Sequence, residues 1–466
     1  MVGSLPPDLE GTLFRVGPSG GSEGGGANGA NGANGANGAK SLPGALHAVE
    51  LREGRAVSYL RRDSAADAGV FWHAGSVLAL PEAGLPSQYS RLLEPEEFAG
   101  GLTVPVASHT HRVASDGARI LFAVDDGTGR VDEPANSDPE GVLLRLGEWD
   151  AQGALRRAQS IGLERATWQH DIGVTAKHLV FIESPTGRLT STAGRGDEPS
   201  PSGGEPNPDL RREPRVPFGW TPGAEGWAGV VPRDGDGTAV QWHRLDPSLV
   251  THVLGAWEEG DPGADGTIVL FVCRYQAPEK GQPVDISASV VGPGTGLTAI
   301  GGSMPVLERW RLTADRLERT QVDERHVEYP RIDRWCEGDV FRYGYAIELD
   351  WAQPHLPTAD GDTLVAGELT STGLLKFDLT RDDASSWRPG AFRTPSEPLF
   401  VRAADGRNDE EGWLLCLVDD HNRGRTDLVV LDASSMGRRG PEAIIHLPVR
   451  LPLRAHGEWV PAEWYR

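Results

Sequence analysis

Cysteine is nearly absent: there are three in 466 residues, Cys273, Cys336 and Cys416, far apart and with no C-x-x-C pair. That spacing excludes a cysteine-ligated zinc site and a disulfide-stapled scaffold, and it fits a reducing compartment. Positive charge is also short. Lys and Arg total 45 against 67 Asp and Glu, a net charge of −22, which argues against nucleic acid or an anionic membrane surface as partner. Membrane contact is expected to be weak or absent. No apolar run reaches the roughly 18 residues of a spanning helix. The opening MVGSLPPDLEGTLFRVGP has neither a basic n-region nor an apolar h-region, so no secretory leader is predicted and the chain is read as cytoplasmic. Long stretches with apolar residues at helical spacing are scarce too.

What is abundant is glycine and proline, 60 and 35 residues, between short apolar runs. ARILFAV follows an Asp-Gly; KHLVFIESP, TIVLFVCRY, GWLLCLVDD and TDLVVLDA are similar. Each has strand length, is rich in β-branched or aromatic residues, and is bounded by turn formers. The chain is therefore expected to be all-β: a sandwich pair, a large barrel or a propeller. No WD or kelch repeat is visible. Two stretches have no apolar pattern at all. The Gly-Ala-Asn tract at 20–40 and the Pro-, Gly- and Ser-rich stretch at 186–214 are expected to be flexible surface insertions, with strand patterns resuming on both sides.

Of the thirteen histidines, most need no explanation beyond a surface or a hydrogen-bonded core. His109 in LTVPVASHTHR, His170 in ATWQHDIGV, His252 in PSLVTHVLGAW and His456 in LPLRAHGEWVP are different, because each sits in or beside apolar, strand-like text. His111 competes with His109, since residues two apart on a strand share a face. Distant histidines that converge make a metal site, and imidazole alone does not choose among iron, copper, zinc and nickel. Such ligands need a carboxylate or carbonyl on the second ring nitrogen. Glu82 (LALPEAGLP), Glu328 (HVEYPRI) and Glu397 (TPSEPLFV) stand in comparably apolar settings.

Taken in order, LPPDLEGTLFRVGP, HAGSVLALPEAGLP, VPVASHTHR, QHDIGVTAKHLVF, VTHVLGAWEEGD, EYPRIDRWCEGDVFRYGYA, SEPLFVRAADG and LPLRAHGEWVP resemble the conserved blocks of the carotenoid cleavage oxygenase family. The resemblance implies a single domain over 1–466, a seven-bladed β-propeller with loops and short helices capping one face. It implies one Fe(2+) per chain on the propeller axis, held by His109, His170, His252 and His456, with Glu82, Glu328 and Glu397 behind them. It also implies oxidative cleavage of a carbon–carbon double bond in a conjugated apolar alkene. A carotenoid or apocarotenoid comes first, with O2 as co-substrate and two carbonyl products. Cleavage of a stilbene or phenylpropanoid alkene on the same fold is one alternative, and a propeller that binds a hydrophobic ligand without catalysis is another. Gly255, Arg454 and Ala455 depart from the family pattern and are expected to touch the surroundings of the metal and the substrate entry rather than the ligands, while Pro81, where many members carry Trp and stilbene-cleaving ones Lys, counts against a lignostilbene-type substrate.

Overall fold

A computed structural model describes residues 1–18, 44–81, 83–98, 106–125, 141–188, 218–221, 223–260, 266–276, 284–286, 297–298, 300, 303–351, 368–451, 453 and 456–465. Within them the chain is almost entirely β. All five apolar runs singled out above are strands: Arg119–Asp125, His178–Glu183, Thr267–Gln276, Gly412–Asp420 and Arg425–Asp432. Several of these are buried at successive positions, so both of their faces are covered. That is why they read as continuous apolar text rather than as a strict alternation. The turn chemistry is equally local. Between His111–Arg112 and Arg119–Asp125, Gly117 takes φ +71° and the Asp116 carboxylate accepts from Ala118 N–H at 3.0 Å.

The strands form consecutive antiparallel sheets. Gly69–His73, Ser76–Leu80, Ser87–Tyr89 and Pro95–Glu96 make one sheet, and His111–Arg112 through Leu155–Leu163 make the next. Ile172–Val174, His178–Glu183, Gly226–Pro232 and Gln241–Leu245 follow. An eight-stranded sheet begins at Ser248–Glu259, and a six-stranded sheet is built around Gly412–Asp420 and Arg425–Asp432. One sheet joins the two ends of the sequence. Gly457–Pro461 pairs with Gly11–Pro18, from Gly11 opposite Pro461 to Arg15 opposite Gly457, and Gly44–Arg52 lies on the other side.

The hydrophobic core is divided among the faces between these sheets. Phe14 and Leu46 pack on Val70 and Trp72, Phe71 and Leu78 on Leu121 and Trp149, and Phe122 and Leu144 on Ile172 and Phe181. Val180 and Val230 pack on Leu270 and Trp310. Within the eight-stranded sheet, Phe271 and Leu307 meet Ala346 and Phe377. Tyr345 and Leu374 then pack on Leu414 and Leu431. Finally Leu415 and Leu428 pack on Leu13 and Trp459 of the sheet that began the series. The order of contacts returns to its start.

Among the described residues there is no α-helix; Arg334–Cys336 and Ala462–Tyr465 are short 3-10 turns. No helix among them is long and apolar enough to cross a membrane. The 20–40 tract, Glu82, Arg454 and Ala455 lie outside the described residues. The 186–214 stretch does so as well after Arg188, but its first three residues, Thr186–Arg188, form a strand paired with Phe218–Trp220.

Candidate metal centre

Each of the four histidines stands where a strand begins, ends or is interrupted. His109 lies between Val106–Ala107 and His111–Arg112, His170 just before Ile172–Val174, and His456 just before Gly457–Pro461. His252 lies inside Ser248–Glu259, where the register slips between Val250 and Val253. Such a bulge re-aims a side chain out of the regular alternation. The four rings come together. The His109 centroid is 4.5 Å from His170, 4.9 Å from His252 and 4.3 Å from His456, and His252 and His456 are 5.3 Å apart. One ring nitrogen each of His109, His170 and His252 lie within 4.8 Å of one another, and the Nε2 atoms of His170 and His252 face each other at 3.4 Å.

Two of the three expected glutamates stand behind these rings. Glu397 accepts from His456 Nδ1 at 2.8 Å and from Gly457 N–H at 2.9 Å. Glu328 accepts from His252 Nδ1, from Thr251 Oγ1 and from Tyr329 N–H. Contacts on Nδ1 leave the Nε2 atoms of His252 and His456 turned toward the other rings, the orientation that metal-bound imidazole requires. The third, Glu82, is not described, but its neighbours Ala83–Gly84 pair with Val106–Ala107, next to the His109 segment.

The charge pattern follows from burial. His109 is held well below the usual imidazole range by burial and then by the three neighbouring rings, and burial lowers His456 to about 4 against the pull of Glu397. Glu397 is also buried, which opposes its charge, yet Arg331, His456 and Arg15 keep it below the ordinary carboxylate range. At His252 burial is likewise unfavourable to charge, but Glu328 outweighs it and raises the imidazole, while Glu328 itself is lowered. A positive charge is thus favoured beside Glu328, and a divalent cation satisfies that demand as well as a proton does.

The sequence gives no reason to single out two further acids. Asp171 is buried and accepts three hydrogen bonds, from His111 Nε2 at 2.6 Å, from Ile172 N–H at 2.8 Å and from Val253 N–H at 2.7 Å; His109 Nδ1 lies 4.0 Å away. Glu337 accepts from the other nitrogen of His111 at 2.9 Å and from Arg112 N–H at 3.0 Å. Burial opposes charge on His111, but these two carboxylates raise it to about 10. His111 is therefore an imidazolium with both nitrogens committed, and of the His-Thr-His pair it is His109 that joins the cluster. The only trace of Asp171 in the text is the His-Asp pair of QHDIG; Glu337 has none.

Around the cluster, Trp168 stacks on His170 at 4.4 Å. Tyr329 lies 5.1 Å from both His252 and His456 and takes the left-handed φ +51°, uncommon for a residue with a Cβ and typical of a constrained site. A cavity of about 90 Å³ reaches His109, His252 and His456 past Asp171, Arg331 and Gly255. Gly255 has no room for a side chain here: a Cβ would meet the Phe341 ring at 2.7 Å. The residues fit a metal. Four imidazoles converge, His109 Nε2 is buried without a hydrogen-bond partner, and carboxylates hold the far nitrogens of two rings.

Fold and site together define a class: an all-β protein whose sheets surround a buried, carboxylate-braced histidine cluster able to hold a metal. The family model described as retinal pigment epithelial membrane protein, RPE65, matches residues 49–461. The chain belongs to that family, the carotenoid cleavage oxygenases, and is an oxidoreductase of the carotenoid-oxygenase type. It is similar to the carotenoid cleavage oxygenase of Mycobacterium tuberculosis, with 25% identity over 99% of this chain and 93% of that one. It is also similar to the isoeugenol monooxygenase of Pseudomonas putida, with 26% identity over 84% and 74%. Among solved structures, the lignostilbene dioxygenase of Pseudomonas brassicacearum superposes with a TM-score of 0.74 at 21% identity, covering 99% of this chain and 94% of that one.

Proposed function

We propose that this chain is a non-haem iron(II) dioxygenase that cleaves a carbon–carbon double bond of a conjugated apolar alkene, with a carotenoid or apocarotenoid as the first substrate class. The observation that carries the reading is the convergence of four imidazoles from four separate strand ends or bulges. His109, His170, His252 and His456 hold one Fe(2+), and Glu82, Glu328 and Glu397 orient the rings. Bound there, iron supplies activation of dioxygen beside the alkene. The reaction balances without a reductant: one C=C and one O2 give two C=O. Glu328 and Glu397 hold the His252 and His456 rings by Nδ1, and Trp168 and Tyr329 pack against the cluster. The domain reading is one seven-bladed propeller over 1–466. It is supported by the series of sheets whose packing returns to its start and by the two packed halves of the eight-stranded sheet.

A stilbene or phenylpropene substrate is the second reading, favoured by the similarity to isoeugenol monooxygenase and to lignostilbene dioxygenase. The test begins with anaerobic reconstitution with Fe(II) and metal analysis, where about one iron per chain is expected. Oxygen uptake is then measured with apocarotenoids, stilbenes and isoeugenol, and the carbonyl products are identified. Failure to retain iron defeats the metal reading. Retention without uptake on any of these alkenes leaves a ligand-binding propeller.

A further inference from the structure

The segments of His109, His170 and His252 come from three different places in the chain, and a single carboxylate touches all three. Asp171 is covalently next to His170. Its Oδ1 accepts from His111, two residues from His109, and its Oδ2 accepts from the N–H of Val253, next to His252. The fit uses both oxygens, and a further N–H from Ile172 fixes the carboxylate plane. His111 is held from its other side by Glu337, which also takes the N–H of Arg112, so the clamp is anchored on both sides of the His109 segment. His456 has an equivalent in Glu397, which grips His456 and the next backbone N–H together. Asp171 is unlike Glu328 and Glu397 in one respect. It grips the backbone of one ligand segment, the His111 ring beside another, and its own chain, and it makes no short hydrogen bond to a clustered imidazole.

We propose that Asp171, braced by His111 and Glu337, is a positioning residue that sets the separation of His109, His170 and His252 before any metal arrives. The proposal rests on the metal reading above. An amide in its place has one oxygen and one NH2, so it must face either Val253 N–H or His111 with a donor, and one of the three segments is released.

Co(II) is the probe, because its visible absorption reports the ligand geometry independently of turnover. Wild type is expected to bind about one Co(II) per chain. Asp171→Asn is expected to bind about 10–100-fold more weakly and with an altered d–d spectrum, while its far-UV circular dichroism matches wild type. A merely structural role would lower the melting temperature without changing the spectrum of the bound ion. Equal affinity and an unchanged spectrum in Asp171→Asn overturn the proposal alone; failure of wild type to bind Co(II) overturns the metal reading and the proposal with it. Should Asp171→Asn not fold, His111→Gln decides. Weaker binding of about tenfold with a shifted spectrum supports the clamp, and wild-type binding overturns it.

Discussion

An imidazole ligates a metal only when neutral, and burial favours that form at His109 and His456, whereas Glu328 raises His252 against it. The acids behind them then decide how tightly the rings are aimed. Glu328→Gln keeps an oxygen for His252 Nδ1 but gives up the charge and one of its other contacts. Metal affinity is expected to fall about 10–100-fold with the fold intact, as measured by titration with Fe(II) or Co(II). On the proposed metal reading His252→Ala removes a ligand, and metal analysis after reconstitution should find none retained. A histidine outside the cluster, opposite Arg15 in the sheet, sets a different pH limit. His47, hydrogen-bonded to Tyr59 at 2.8 Å, is lowered to about 4 by burial and then by Arg61 and Arg15. The unfolded chain takes up that proton near the ordinary 6.5, so the stability is full above 6.5 and is lost as pH falls from there toward 4. The loss is at most about 3 kcal/mol; His73 and His456 are lowered to about 4 as well, so His47→Gln should reduce, without abolishing, the fall in melting temperature over that window.

Strand segments carry the ligands into place, and their close contacts transmit small changes to the centre. Gly69, in Gly69–His73, has no room for a side chain: a Cβ would lie 2.1 Å from the carbonyl oxygen of Ser108, the residue before His109. Gly69→Ala must push that carbonyl and its neighbour. A loss of about 1–3 kcal/mol is expected, and the melting temperature gained on adding metal should be smaller than in wild type. This scale also marks how far the text could be read. The strands were legible because each short apolar run ends in its own Gly, Asp or Pro, and the four histidines because they stand in such text. The bulge at His252, the left-handed Tyr329 and the clamp at Asp171 were not. A bulge depends on the partner strand's register, and Asp171 acquires its role only when residues 111, 171, 253 and 337 meet in space.

At the scale of the whole molecule, the two ends of the sequence are joined by strand pairing across about 440–450 positions, Gly11–Pro18 with Gly457–Pro461 and Val2–Gly3 with Ala443–His446. No repeat in the sequence announces the order of sheets, since each interface is filled by a different set of side chains. The joint itself is written in the apolar ends: Leu13 and Phe14 on one side, Trp459 and Val460 on the other, all buried. Pairing so distant in sequence carries a large loop-closure cost that its contacts must offset. The two ends are nevertheless unequal. Val2–Gly3 is an exposed two-residue strand on the edge of the six-stranded sheet, and removing residues 1–3 should cost little, within about 1 kcal/mol. Removing residues 457–466 takes away the closing strand, two large buried side chains and the N–H of Gly457 that ties Glu397 beside His456. That variant is expected to lose metal retention and to melt far below wild type, in a broader transition, as the Gly11–Pro18 edge of the sheet at residues 11–64 loses its paired strand. Metal analysis and calorimetry on the two truncations distinguish closure of the ring from a general sensitivity of the ends. Equal behaviour of the two variants would mean that the ring is held by its sheet interfaces alone.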